Sequence, residues 1–276
     1  MNNQTIDVIE KRDIDRIFFS ITIISQQIFF NDGNGYIYKR NIDILIGCNI
    51  NGVRKYITSV FDDEFTKTSD WYNLFLNFKS KGLKNAFFII TDNDNIVKAF
   101  KLAFTNAESF YYLFNNINKL SHYISFSYSN NMIGKIKNIC SSKDINEFNF
   151  KKEEMFNDYV EFPFIIDILN DLFDNYIPYF KYPFVVRKHL LSIYFIRDIK
   201  KKLTFLSNSK SYFFNLNEFI ELFIPTIQSF ETKMYCGRKE WNEIITYLYE
   251  KNKELLLCEL WGIICPSTKG VLLNEK

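Results

Sequence analysis

Apolar positions in this chain follow two periods, nearly continuous in the first third and helical thereafter. From Arg16 to Phe30 an Ile- and Phe-rich run with β-branched Thr22 predicts a strand buried on both faces, turned by Asp32-Gly33-Asn34-Gly35. Arg40 to Ile50 reads as a second strand, Asn51-Gly52 as a hairpin, and Arg54 to Phe61 as the returning third strand. Thr68 or Ser69 caps a predicted helix with Trp71, Leu74, Phe75 and Phe78 on one face, which stops at Gly82. Lys84 to Thr91 is a fourth strand, ending at Asp92, and a helix over Asn95 to Phe104 follows. Farther on, Ser141 to Lys188 is mainly helical, with Phe162, Ile165, Ile166, Leu169, Leu172 and Phe173 at helical spacing.

A three-strand meander, a helix, a strand ending in a carboxylate and another helix is the element order of an RNase H-like core. The expected fold is therefore α/β: a mixed sheet with flanking helices, interrupted by an all-helical insertion and closed by a helical C-terminus. The expected boundaries are a polar N-terminal segment at 1–15, the first part of the core at 16–128, the helical insertion at 129–188, core completion with the helical C-terminal region at 189–252, and a tail at 253–276.

Charge and cysteine usage narrow the function classes. The net charge is +2, from 34 basic and 32 acidic residues, so any DNA contact must come from a local patch. Cys48, Cys140, Cys236, Cys258 and Cys265 lack C-x-x-C spacing, and the chain has only two histidines, His122 and His189, so no zinc site can be written. An odd cysteine count after a polar, charged Met1 to Arg16 leads to the expectation of reduced thiols in the cytoplasm, or at the nucleoid when DNA-bound. The apolar stretch Leu255 to Cys265 is interrupted by Glu259 and is short of the ~20 residues of a membrane helix, so no membrane association is expected.

Collinear motifs then give a specific resemblance. Gly47-Cys48-Asn49-Ile50-Asn51-Gly52 forms a glycine-framed hairpin, Ser69-Asp70-Trp71 to Lys81-Gly82 a tryptophan helix, Ile90-Thr91-Asp92-Asn93 a strand delivering an aspartate, and Tyr123-Ile124-Ser125 a following segment. Ile177-Pro178-Tyr179-Phe180 through Pro183 and Arg187-Lys188 comes next, and Arg238 to Trp241 closes the series. In order and spacing, Tyr36 to Tyr249 resembles the catalytic region of the Mutator-type bacterial insertion-sequence transposases. The resemblance implies DNA transposition and recombination, a DNA partner, and three carboxylates holding two Mg²⁺ ions.

The residues at the three implied metal positions depart from that pattern. Asp92 is the retained second aspartate. Ser20, in Ile17-Phe18-Phe19-Ser20-Ile21, stands at the first aspartate, where a neutral hydroxyl cannot replace an anionic bridging ligand. Asp15 lies five residues earlier, about 16 Å along a strand and on the opposite face, and is rejected as a substitute. Arg197, in Ser192-Ile193-Tyr194-Phe195-Ile196-Arg197-Asp198, stands at the glutamate, and its permanent charge repels a cation. Asp198 is the alternative ligand if the alignment slips by one residue. Ser20 is expected mid-strand beside Asp92, with the helix bearing Arg197 crossing nearby.

Other departures reinforce this reading. The family's C-x-x-H pair falls on Tyr112-Leu113-Phe114-Asn115, and its arginines near the glutamate are replaced by Lys200, Lys201, Lys202 and Lys210, which are either phosphate contacts or a solvated helix face. The insertion carries Glu153, Glu154, Asp158, Glu161, Asp167, Asp171 and Asp174, a poor phosphate surface. The N-terminal DNA-binding region of the family is expected to be absent. Asp62-Asp63-Glu64 reads as helix-dipole acids, Asp92-Asn93-Asp94 lacks a calcium loop's Gly and Glu, and His189 reads as a packing residue. No cofactor is expected, with Mg²⁺ at Asp92 if any activity remains. Three readings follow: an inactive remnant; a repurposed DNA-binding or regulatory module that forms homodimers or heterodimers with an intact transposase; and a weak metal-dependent nuclease or strand-transferase using Asp92 with Asp198.

Overall fold

The structure is a computed structural model that describes residues 14–61, 65–104, 106–110, 126–191, 193–209, 212–231, 238–253 and 256, without the side chains of 126–130, 193–197, 207–209 and 238. It is mixed α/β, as expected. Two compact units divide the chain, Met1–Tyr235 and Cys236–Lys276, a boundary that the sequence reading did not place.

The first unit is built on a five-stranded sheet. Strands β1 (Ile17–Asn31), β2 (Ile37–Asn49) and β3 (Arg54–Phe61) form the antiparallel meander. After α1 (Thr68–Ser80), β4 (Asn85–Ile90) returns parallel to β1, and after α2 (Asp94–Ala103) the short β5 (Glu108–Phe110) adds parallel to β4. The spatial order is β3-β2-β1-β4-β5. The three-residue β5 carried no sequence signal.

Helices α1 and α2 cover one face. Trp71, Leu74, Phe75 and Phe78 of α1 and Ile96, Ala99, Phe100 and Ala103 of α2 pack on Phe18, Ile21, Ile23, Leu45, Ile57 and Val60. The α1 cap lies one residue earlier than expected, at Lys67, because the Asp70 carboxylate reaches back to accept the Lys67 N–H at 2.9 Å. Asn93 caps α2, its side chain accepting from the Asn95 N–H at 2.9 Å. The hairpin glycines divide the work. Gly52 takes φ 75°, the left-handed value a tight turn needs, whereas Gly47 supplies space, because a Cβ there would lie 2.3 Å from the Phe18 ring.

A β-bulge in β1 between Phe18 and Ser20 shifts the inward alternation, so that Phe18 and Ile21 share the α1/α2 face while Ser20, Thr22, Ile28 and Phe30 turn to the other. That other face receives α7 (Ile193–Ser209) and α8 (Leu216–Gln228). Phe30 meets Phe219 at 6.1 Å, and Tyr56 meets Phe223 at 6.0 Å. Between α7 and α8, Phe213 bridges in parallel to Phe30: its N–H donates to the Phe29 carbonyl at 2.9 Å, and its carbonyl accepts from the Asn31 N–H at 2.8 Å.

The intervening segment is helical: α3 (Phe126–Cys140), α4 (Ile145–Asp158), α5 (Pro163–Tyr176), a 3-10 helix at Ile177–Lys181, and α6 (Phe184–Leu191). Phe148 packs between Phe173 at 5.5 Å and Phe180 at 5.1 Å. Tyr179 and Tyr182 join these helices to the sheet, lying 4.3 Å and 5.4 Å from Phe110, with Tyr182 5.3 Å from Phe88. Arg187, 1% exposed, donates to the carbonyls of Ser142 at 3.0 Å and Lys143 at 2.8 Å, just past the negative end of α3, and its guanidinium lies 4.2 Å from the centre of the Phe180 ring. In the second unit, α9 (Arg238–Lys251) buries Trp241, Ile244 and Leu248 at helical spacing. No helix among the described residues is long and apolar enough to cross a membrane.

Candidate functional site

Asp92 is delivered by the end of a wholly buried strand. The hydrophobic run of β4 forces Asn85 to Ile90 into the sheet, and the Thr91 N–H continues the ladder by donating to the Phe110 carbonyl at 3.1 Å. Thr91 Oγ1 then accepts the Asn93 N–H at 3.2 Å, and the chain bends into the α2 cap. This local geometry leaves Asp92 exposed at the carboxyl end of a parallel strand, the edge where open α/β sheets place ligands.

Ser20 is buried, 6% exposed, on the face that receives α7. It pairs with Phe88, and Thr22 pairs with Ile90, the last residue of β4, two residues before Asp92. The parallel register thus places Ser20 near the middle of β4, two residues before the last β1–β4 pair.

The helix bearing position 197, α7, packs on β1, and its Ile199, Leu203 and Leu206 are buried. Burial pulls the Lys200 ammonium below the ordinary lysine range, and the Asp92 carboxylate partly offsets this by favouring the charged form. Lys200 therefore stands in the field of Asp92. Position 197 lies three residues earlier on α7, its side chain outside the described residues. Asp198 and Lys201 are exposed.

The remaining candidates separate from this centre. Lys202 donates to Ser229 Oγ at 3.0 Å and lies over the Phe230 ring at 4.5 Å, so it ties α7 to the end of α8. Asp15 is held by Lys55 at 2.9 Å and Asn49 at 3.4 Å, a structural pairing consistent with its rejection. His189 is buried at 3% exposure. Lys210, Asp62-Asp63-Glu64, Tyr112 to Asn115, Tyr123 to Ser125 and, apart from the buried Leu256, Leu255 to Cys265 lie outside the described residues. Sequence reading passed over Asp43, a buried carboxylate that accepts from Ser25 Oγ at 2.5 Å on the α1/α2 face. Lys200 is half-buried between exposed Asp198 and Lys201, a difference that nothing in the basic run of the sequence marks. Among the described residues, no three His, Cys, Asp or Glu side chains come together as a metal-binding group.

The family described as "Transposase, Mutator family" matches residues 3–233. The chain belongs to the Mutator family of transposases. Membership carries with it an interaction with DNA and places Asp92, Lys200 and the sheet between them within the matched span. No curated protein matches the chain.

Proposed function

We propose that this Mutator-family transposase has an RNase H-like catalytic core that has lost its strand-cleaving chemistry. The observation that carries the reading is the loss of two carboxylates: a serine stands at position 20 and an arginine at position 197, where the family's chemistry calls for anionic ligands. Two-metal phosphoryl transfer needs several anionic oxygens converging on ions about 3.5–4 Å apart. The residues present do not fit that group. Asp92 is the one carboxylate retained at the three positions, Ser20 contributes a neutral hydroxyl level with Phe88, and position 197 is an arginine. The ammonium of Lys200 competes with any cation for the Asp92 carboxylate. The strand order β3-β2-β1-β4-β5, with a parallel β1–β4 pair, supports the RNase H-like assignment.

The test is incubation of the purified protein with supercoiled plasmid and labelled duplex DNA in Mg²⁺ or Mn²⁺. The expected result is neither nicking nor strand transfer. Activity removed by Asp92→Asn would overturn the proposal, and further removal by Asp198→Asn would favour the nuclease reading with Asp198 as ligand.

A further inference from the structure

The first strand outruns its neighbour. β1 reaches Asn31, yet β4 pairs with it only from Ile17 to Thr22, where Ile90 ends the shorter strand. The next partner on that side is Phe213, whose N–H donates to the Phe29 carbonyl and whose carbonyl accepts the Asn31 N–H. Beyond the bulge, then, the odd-numbered residues of β1 turn their backbone groups toward the β4 side, and the even-numbered ones face β2. Ser25 and Gln27 direct their N–H and C=O groups into the interval between β4 and Phe213. Among the described residues, no backbone group bonds to either of them there. The Gln27 carbonyl accepts instead from Gln26 Nε2 at 3.1 Å, a side-chain amide in the place of a missing peptide N–H.

The chemistry of this interval selects its occupant. Ile23 to Phe29 contains no charged residue and no proline, and the one bulge lies earlier at Phe18, so the usual devices that blunt a sheet edge are missing. Donors and acceptors recur every second residue, about 6.6 Å apart, and a polypeptide strand complements both. Nucleic-acid phosphates only accept, so they would meet the carbonyls with repulsion. The charged groups around the interval are Asp43, Lys39 and Arg40 on β2, Asp32 in the turn, and Asp92 with Lys200 in its field. They are of both signs, so charge does not choose the partner. β4 closes one end and Phe213 the other, which admits a single extended segment but not the edge of a second folded sheet. On one side of β1, Ser25, Gln27 and Phe29 are exposed; on the side that receives α7 and α8, Ile24 and Ile28 are fully buried.

We propose that the open edge of β1 at Ser25 and Gln27 binds an extended polypeptide segment of about five residues, which adds to the sheet as a strand between β4 and Phe213. Its alternate side chains are apolar on the side of Ile24 and Ile28 and polar beside Ser25 and Gln27. Backbone bonds supply the affinity, the two rows supply the sequence preference, and the Gln26 amide swings off the Gln27 carbonyl to make way. The chain thereby gains a protein partner in addition to DNA.

The experiment is residue-resolved amide hydrogen exchange of the full chain, alone and with end-capped hexapeptides that alternate Val or Ile with Thr or Gln in both phases. In the free chain the Ser25 and Gln27 amides should exchange freely while those of Gln26 and Ile28, bonded to β2, are protected. Peptide should slow exchange at Ser25 and Gln27 at least tenfold, with no dependence on salt. Gln27→Pro removes one donor on the side without a ladder bond, so it should keep the circular dichroism and weaken binding at least tenfold. A peptide N-methylated on alternate residues tests the same bonds on the wild type should that variant not fold: methylation in one phase abolishes binding, and in the other leaves it intact. Ser25 and Gln27 amides already protected in the free chain, no protection by any of the peptides, or equal binding of both methylated phases would each overturn the proposal. Protection of the same two amides by oligo-dT and not by peptide would assign the edge to nucleic acid instead.

Discussion

Replacing Gly47 by alanine drives a methyl group into the ring of Phe18. The new Cβ would lie 2.3, 2.5 and 2.9 Å from three ring carbons, against about 3.5–4.0 Å for carbons in favourable contact. Phe18 is 1% exposed and is packed in the cluster that includes Ile21, Leu45, Ile57 and Trp71, so the ring has no solvent side to swing into. Overpacking of this kind costs about 1–3 kcal/mol, and a displacement of more than an ångström belongs at the upper end. In a domain of this size each kcal/mol moves the melting midpoint by about 2–4 °C, which gives a fall of roughly 2–12 °C. Thermal and urea unfolding of Gly47→Ala measures the loss directly. Phe18→Leu removes the clashing ring atoms, so in the double variant the two changes should couple favourably by at least about 0.5 kcal/mol. A single variant within about 0.5 kcal/mol of wild type, or a double variant with purely additive losses, would refute the packing explanation for this motif glycine.

Restoring the family's acids with Ser20→Asp/Arg197→Glu should give the same melting midpoint in EDTA and in Mg²⁺, since the β1–β4 register sets position 20 level with Phe88, two residues before the last pair of the two strands; a metal-dependent rise would show that the carboxylates converge. Burial lowers the folded-state pKa of Lys200 below its ordinary 10.5, so the unfolded chain binds the extra proton between the two values and stability rises with pH across that window. Lys200→Met should remove that rise, and identical slopes for variant and wild type would contradict it. Burial also pushes the Cys140 thiol up to about 12, with Arg187 opposing weakly, so a variant retaining only Cys140 should react with a disulfide reagent at pH 8 only after denaturant is added. Fast modification in native buffer would place that thiol at the surface.

The sheet was legible because its strands are hydrophobic enough to declare themselves. The meander, β4 and the two helices of the first face all appear within a few residues of their expected limits, and Asp92 falls at the predicted strand end. Register was not legible: Ile17 to Phe30 is apolar on both sides, so the pattern contains nothing that distinguishes Ser20 opposite Phe88 from Ser20 opposite Asp92. Nor was the bulge at Phe18, which leaves no mark in a run where every neighbour is Ile or Phe. The relation of Lys200 to Asp92 depends on how α7 lies on β1, a tertiary fact that a run of three lysines cannot state. Lys202 shows the same limit, since its place over Phe230 is set by the end of α8.

The bridge from Phe213 to Phe30 also sets a clock. The last hydrogen bonds to the first strand come from a residue about 180 positions later, after the whole helical segment has been made. At ribosomal rates of about 5–20 residues per second, the far end of β1 waits on the order of 10–40 s before its partner exists. During that interval Phe30, 3% exposed in the finished protein, has neither Phe213 nor Phe219 against it. The nascent β1–β2 ribbon, with Phe29, Tyr36, Ile37 and Tyr38 exposed even after folding, is thus the part of this chain on which a translational pause, or a ribosome-bound chaperone, acts for longest.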